Sequence, residues 1–115
     1  KKVYGYPTEF AQVILNLLSN AKDVLVEKEI KNPRIDITID SKGVLSTITI
    51  KDNAGGIHEK NQELIFDPYY STKDSSKGTG LGLYISKLII ERNMGGELSV
   101  HNDEEGAVFK IIIAG

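Results

Sequence analysis

The 115-residue chain contains no cysteine, so it can build neither a disulfide framework nor a thiolate site, a usage that suits a reducing compartment. It has no apolar run near the roughly 18–20 residues that a bilayer-spanning helix needs, and no signal-peptide pattern opens it. Neither sign of charge is in excess: 14 Lys and Arg stand against 16 Asp and Glu, a net charge of −2. That balance gives no reason to expect broad electrostatic binding to nucleic acid or to a membrane. Internal repeats and low-complexity tracts are missing too. What remains is 40% hydrophobic and 26% charged, the composition of a folded domain, and the length suits one domain with its own core. The start at Lys1-Lys2-Val3 without Met reads as a piece of a longer protein.

The clearest periodicity runs from about Glu9 to Glu29. Phe10, Val13, Ile14, Leu17, Leu18, Ala21, Val24 and Leu25 recur at the spacing of an amphipathic helix. Thr8 is the expected N-cap, with Glu9 at the positive end of the helix dipole and Asn32-Pro33 as the stop. Ile35, Ile37 and Ile39 then alternate with polar residues, as on one face of a strand. Ser41-Lys42-Gly43 reads as a turn into a second strand, roughly Val44 to Lys51. Asp52 has the parity of Ile48 and Ile50, so its carboxylate is aimed toward the buried side and needs a partner. A long polar connection from Ala54 to Lys77 reads as a functional loop. A second helix is expected from near Gly80-Leu81 to before Gly95-Gly96. Strands over Glu97–His101 and Val108–Ile113 follow it. Helix, hairpin, loop, helix, hairpin argues for a mostly antiparallel sheet with helices on one face.

Asn16 and Asn20 lie four apart, so their side chains leave nearly one face of the first helix. An Asn oxygen is a neutral hard ligand suited to Mg²⁺, although two such residues equally suit a solvated polar stripe. Asp52-Asn53-Ala54-Gly55-Gly56 follows a strand directly. The carboxylate can accept from an exocyclic amine and the glycines admit a flat ring, or the segment is a plain turn. Gly78-Thr79-Gly80-Leu81-Gly82 opens the second helix, where backbone N–H groups can converge on phosphate oxygens. It is no Rossmann fingerprint, and no Gly-Lys-Ser/Thr of a P-loop occurs in the chain. Lys73 and Lys77 can reach phosphates or simply face water, while Phe66 in a polar loop needs somewhere apolar to dock. His58 and His101 have no metal-ligand neighbours, and no Ser/His/Asp set or close catalytic carboxylate pair assembles.

The order and spacing of these segments resemble one family. Gln12-Val-Ile-Leu-Asn16-Leu-Leu-Ser-Asn20-Ala21 looks like the N box of sensor histidine kinases, and Asp52-Asn-Ala-Gly-Gly56-Ile57 like their G1 box. Ile65-Phe66-Asp-Pro-Tyr69-Tyr-Ser-Thr-Lys73 resembles the F box, Gly78-Thr-Gly80-Leu-Gly82-Leu83 the G2 box, and Gly95-Gly96-Glu-Leu-Ser-Val the start of a closing hairpin. The likeness spans nearly the whole chain. It is to the catalytic and ATP-binding domain of these kinases, in the superfamily shared with gyrase B, Hsp90 and MutL. Asp23 and Val24 depart from the pattern, since many members carry a Lys and an aromatic residue there. The Asn-Ala-x-Asp form and the Ser-Thr-Lys ending resemble the nitrogen- and dicarboxylate-sensing subgroup.

The resemblance implies a two-layer α+β sandwich of the Bergerat type. Its sheet would be mixed, mostly antiparallel, with about five strands, and about three helices would cover one face. A single domain would span 1–115, with a lid over about 58–77. It implies ATP and Mg²⁺ as cofactors: Asn20 on the metal, Asn16 nearby on the phosphate side, Asp52 on the adenine amine, and Gly56 and Ile57 lining the base pocket. Phe66 would anchor the lid, Lys73 would approach the phosphates, and Gly78, Thr79, Gly80, Leu81, Gly82 and Leu83 would wrap them. Hydrolysing relatives carry a Glu at the position of Asn16. An amide cannot take a proton at neutral pH, which favours transfer to an external acceptor over hydrolysis. The partners implied are a histidine-bearing dimerisation domain of the same parent and a cognate response regulator, in a cytoplasmic setting; an inner-membrane sensor is one form of parent the resemblance allows, and it leaves the parent's membrane topology open. Two other readings share the fold: a non-catalytic nucleotide-binding regulatory module and an anti-sigma-type serine kinase.

Overall fold

The structure, a computed structural model, describes residues 7–57, 62, 64–68 and 81–114. Helix α1 runs Pro7–Glu27. Proline suits the first helical position, where its missing N–H would have had no intrahelical partner. Thr8 therefore lies inside the first turn and is not the cap. The other end also differs from expectation. Ile30 N–H donates to Leu25 O and Glu29 N–H to Val26 O, each at 3.1 Å, with Glu29 at φ +50°. This is a Schellman closure with Glu in the position that usually holds Gly, so α1 stops before Asn32-Pro33 is reached.

Strands β1 (Ile35–Lys42) and β2 (Leu45–Asp52) form the first hairpin. Lys42 pairs with Leu45, so the loop is Gly43–Val44 and not Ser41-Lys42-Gly43. After a 3₁₀ turn at Leu64–Phe66 comes helix α2 (Gly82–Leu88), which passes into a π-helical turn at Ile89–Asn93. There Met94 N–H donates to Ile89 O, five residues back, so the second helical segment is wound in two ways. Strands β3 (Glu97–Asn102) and β4 (Ala107–Ala114) close the fold.

The described residues hold four strands in the order β1-β2-β4-β3, every neighbouring pair antiparallel. About five strands, mixed in direction, were expected; the two-layer α+β class is as read. Register sets Ile48 beside Ile111, Ile50 beside Phe109 and Leu98 beside Ile111. Since paired residues point the same way, these side chains share one face with Ile113. Val13 and Leu17 of α1, Ile65 and Phe66, and Ile89 and Ile90 cover that face. Ile37 and Ile39 register with Ile50 and Ile48 yet are 51% and 71% exposed. Their strand is an edge among the described strands, and Ile35 is its partly buried residue packed against the core cluster. The alternation in β1 therefore gave the face correctly but not its burial.

Candidate functional site

The expected base side lies at the end of β2. Asp52 has the parity of Ile48 and Ile50 and is only 4% exposed, so its carboxylate enters the core layer. One oxygen, Oδ1, accepts from Ala54 N–H at 2.9 Å and from Ala107 N–H at 3.4 Å. Nothing among the described residues donates to Oδ2. Yet no described side-chain atom is both sealed from solvent and unpartnered, so Oδ2 keeps an open approach. A buried carboxylate of this kind offers one free, fixed acceptor. Gly106 is what lets β4 come so close. A Cβ there would lie 2.3 Å from Asp52 O and 2.6 Å from Oδ1, inside any allowed contact.

The turn after Asp52 is held on several sides. Gly55 N–H donates to Glu105 O at 2.9 Å, and Lys28 Nζ donates to Ala54 O at 2.9 Å. Asn102 bonds both backbone groups of Ile57. Asn53 faces the other way, accepting from Arg34 N–H at 2.8 Å and donating to Asn32 O at 3.0 Å, which pins the entry to β1. Below the turn lies a chain of charges: Arg34 meets Asp36 and Glu105, each at 2.8 Å, and Lys51 meets Asp103 at 2.6 Å and Glu105 at 2.9 Å. The Lys51 hydrogen bond, helped by N–H donation from Gly106 and Glu105, lowers the Asp103 pKa to about 2. Arg34 and then Lys51 hold Glu105 below its ordinary value, and both cations are raised in return.

The expected phosphate side lies along one flank of α1 and the start of α2. Asn16 Nδ2 donates to Ser86 Oγ at 3.1 Å and to Gly82 O at 3.3 Å, while Asn16 Oδ1 accepts from Gln12 Nε2 at 2.9 Å. Its amide is thus spent on tying α1 to α2, and through Gly82 it fixes where the glycine turn enters the helix. Asn20, one turn further on, is half-buried, and its side chain has no hydrogen-bond partner among the described residues. Leu81 precedes α2 at φ −102°, and Leu83 packs against the core. Lys73, Gly78, Thr79 and Gly80 lie outside the described residues, as does most of the expected lid at 58–77. Within the part of that lid that is described, Phe66 is buried. Its ring meets Phe109 edge-on at 6.2 Å and 87°, and Lys87 Nζ sits 4.6 Å from its centre.

The structure thus places Asp52, Gly56 and Ile57 in one held turn, Asn16 with Gly82 across the two helices, and Phe66 in the core. A separate cleft of about 700 Å³, lined by Phe66, Asp67, Tyr84, Lys87, Glu91 and Arg92 among others, includes neither Asn of α1 nor Asp52. Sequence reasoning missed Lys28, Ser86, Asn102 and Gly106. None carries a local signal: a glycine in a turn and an Asn ending a strand look alike whether or not a site depends on them. No group of three or more His, Cys, Asp or Glu suited to a metal occurs among the described residues. No helix among them is long and apolar enough to cross a membrane.

Comparison with known proteins matches residues 5–114 to the histidine kinase-, DNA gyrase B-, and HSP90-like ATPase family. The two-component sensor PprA of Pseudomonas aeruginosa is 38% identical over 112 residues, which is 95% of this chain and 12% of that protein. Sporulation kinase E of Bacillus subtilis is 36% identical over 115 residues, 96% of this chain and 14% of that protein. For the signal transduction histidine-protein kinase ArlS of Staphylococcus aureus the identity is 35% over 111 residues, covering 92% of this chain and 24% of ArlS. The chain therefore spans a quarter or less of these relatives. Among solved structures, the catalytic domain of histidine kinase ThkA superposes with a TM-score of 0.83 at 35% identity, covering 97% of this chain and 70% of that one. ThkA in complex with the response regulator TrrA matches with a TM-score of 0.71 at 32% identity, covering 90% of this chain and 27% of that one. Likeness of sequence over nearly the full length, and of fold to catalytic domains, leads to one conclusion: the chain belongs to the histidine kinase-, DNA gyrase B- and HSP90-like ATPase family.

Proposed function

We propose that this chain binds Mg-ATP and donates its γ-phosphate to a histidine on a separate dimerisation domain, as the catalytic part of a two-component sensor kinase. The observation that carries the reading is Asp52, whose Oδ1 is fixed by two backbone N–H groups while Oδ2 stays open. That free oxygen is the acceptor an adenine amine requires, with Gly56 and Ile57 as the wall of the base pocket. Asn20 supplies one neutral oxygen with no competing partner among the described residues. Such a donor suits Mg²⁺, which keeps several waters and takes its remaining ligands from phosphates. Bound there, the ion would neutralise phosphate charge. Asn16 serves the phosphate side by holding Gly82, with Leu81 and Leu83 alongside and Lys73, Gly78, Thr79 and Gly80 completing the cradle.

Transfer breaks the bond from the β–γ bridging oxygen to the γ-phosphorus and forms a P–N bond to the acceptor imidazole, whose ring proton passes to solvent. ADP leaves with the bridging oxygen. The chain's task is positioning and charge neutralisation, since Asn16 offers no base to activate water. The parent's dimerisation helices would supply the histidine and a response regulator would receive the phosphate, which places the domain on the cytoplasmic side of its parent.

Titration calorimetry of the chain with ATP, with and without Mg²⁺, tests the binding; no Mg-dependent adenine nucleotide binding overturns it. Labelled ATP and the dimerisation helices supplied in trans test the transfer. Acid-labile phosphate on the helices is expected. Acid-stable phosphate would indicate a serine kinase, and none a regulatory module. Asp52→Asn should weaken ATP at least about tenfold, because Oδ1 must remain the acceptor for two N–H groups and the new NH₂ would then face the adenine amine. Unchanged affinity contradicts the role given to Asp52.

A further inference from the structure

Ile57 lies beyond the end of β2, where no strand among the described residues is beside it, yet its backbone is paired as though one were. Asn102, the last residue of β3, takes the place of a strand neighbour. Its Oδ1 accepts from Ile57 N–H at 2.9 Å and its Nδ2 donates to Ile57 O at 2.7 Å. A side-chain amide is the group that offers donor and acceptor side by side, as a peptide does. The residue before Ile57 is matched to it. Gly56 sits at φ +88°, and a Cβ there would come within 2.8 Å of Asn102 Cγ and Oδ1. From the opposite side Lys28 Nζ holds Ala54 O at 2.9 Å. Gln62 Nε2 also donates to Ile57 O, at 3.2 Å, so the carbonyl has a second donor, whereas among the described residues the N–H depends on Asn102 alone.

We infer that Asn102 is a positioning residue for the base pocket: by gripping Ile57 it sets the wall opposite the free oxygen of Asp52 and so governs selection of adenine over other bases. The inference rests on the reading of Asp52 and Gly56–Ile57 as the base site. Asn102 does not touch the nucleotide; it acts through Ile57. Its bonds lie at the exposed edge of β3, where water can replace them, so its loss should cost the fold little.

The test measures ATP and GTP affinity of the 115-residue chain in Mg²⁺, for the wild type, Asn102→Ala and Asn102→Asp. Asn102→Ala should lose about tenfold in ATP affinity and little in GTP affinity, so the ATP preference collapses. Asn102→Asp, which keeps the acceptor and lacks the donor, should lose part of that preference. An unchanged ATP-to-GTP ratio in both Asn102 variants overturns the inference, as does an equal loss for both nucleotides, the mark of a merely structural residue. If the wild type binds neither nucleotide, the base-site reading fails first and this inference falls with it.

Discussion

The two halves of the candidate site are built by different means. The base half is a backbone turn clamped by neighbours from four places in the chain: Lys28, Asn102, Glu105 and the β4 start at Gly106-Ala107. The proposed phosphate half is a pair of amides on one helix flank, of which Asn16 is spent on tying α1 to α2 and Asn20 has no side-chain partner among the described residues. A flat ring is recognised by a surface that must already be in place, and a clamped turn holds one without paying ordering entropy on binding. A metal–phosphate group brings its own ligands, so a single free oxygen on a firm helix suffices. The base half should therefore fail by distortion, and the phosphate half by loss of one atom.

The largest effect is expected at Gly106. Gly106→Ala drives a methyl into Asp52 O and Oδ1. It should cost roughly 3 kcal/mol in urea denaturation and displace the carboxylate, so that adenine preference disappears with stability. If stability falls while ATP binding persists, the base half is less dependent on its clamp than argued. Asn16→Ala comes next. It strands Ser86 Oγ, whose residue is fully buried, and should cost about 1–2 kcal/mol while loosening α2 against α1. Asn20→Ala separates the two amides of the phosphate half. Stability should stay within about 0.5 kcal/mol of the wild type while Mg²⁺ stimulation of ATP binding is lost. Full retention of Mg²⁺ dependence would remove Asn20 from the metal.

The smallest effect is a pH dependence confined to the base half. Asp103 is lowered to about 2 from an ordinary 3.8, and Glu105 is lowered too. Depressed carboxylates stabilise the fold fully above their unfolded values and lose that contribution as pH falls through the folded ones. Melting temperature should therefore decline between about pH 4.5 and pH 2, and Lys51→Met should flatten the decline. Salt should weaken it as well, because these groups are exposed.

Much of this was legible in the chain. The α1 stripe gave Val13 and Leu17 as core, and strand parity turned Asp52 inward before any partner was known. Periodicity works there because a side chain's direction follows from its position in a regular element. It misled where the end of an element is set by something else. Thr8 looked like a cap because it is a good one, but Pro7 starts the helix. Asn32-Pro33 looked like the stop, but a left-handed Glu29 closes the helix first. Ile37 and Ile39 alternate correctly and remain exposed, since burial depends on what lies over a strand and not on the strand itself.

The candidate site divides along the same line. By itself the sequence determined which segments are candidates for chemistry and in what order: the two Asn of one helix face, the Asp-led glycine turn, Phe66 and the Gly-Thr-Gly-Leu-Gly start. These are short-range patterns, fixed by helix and strand geometry and by the special chemistry of glycine and carboxylates. Only the tertiary structure decided that Gly106 must be glycine, that Asn102 stands in for a strand beside Ile57, and that Asn16 and Asn20 have unequal work. Each of those depends on a contact between residues 45 to 70 positions apart, and no local pattern in a chain encodes what its distant part will press against.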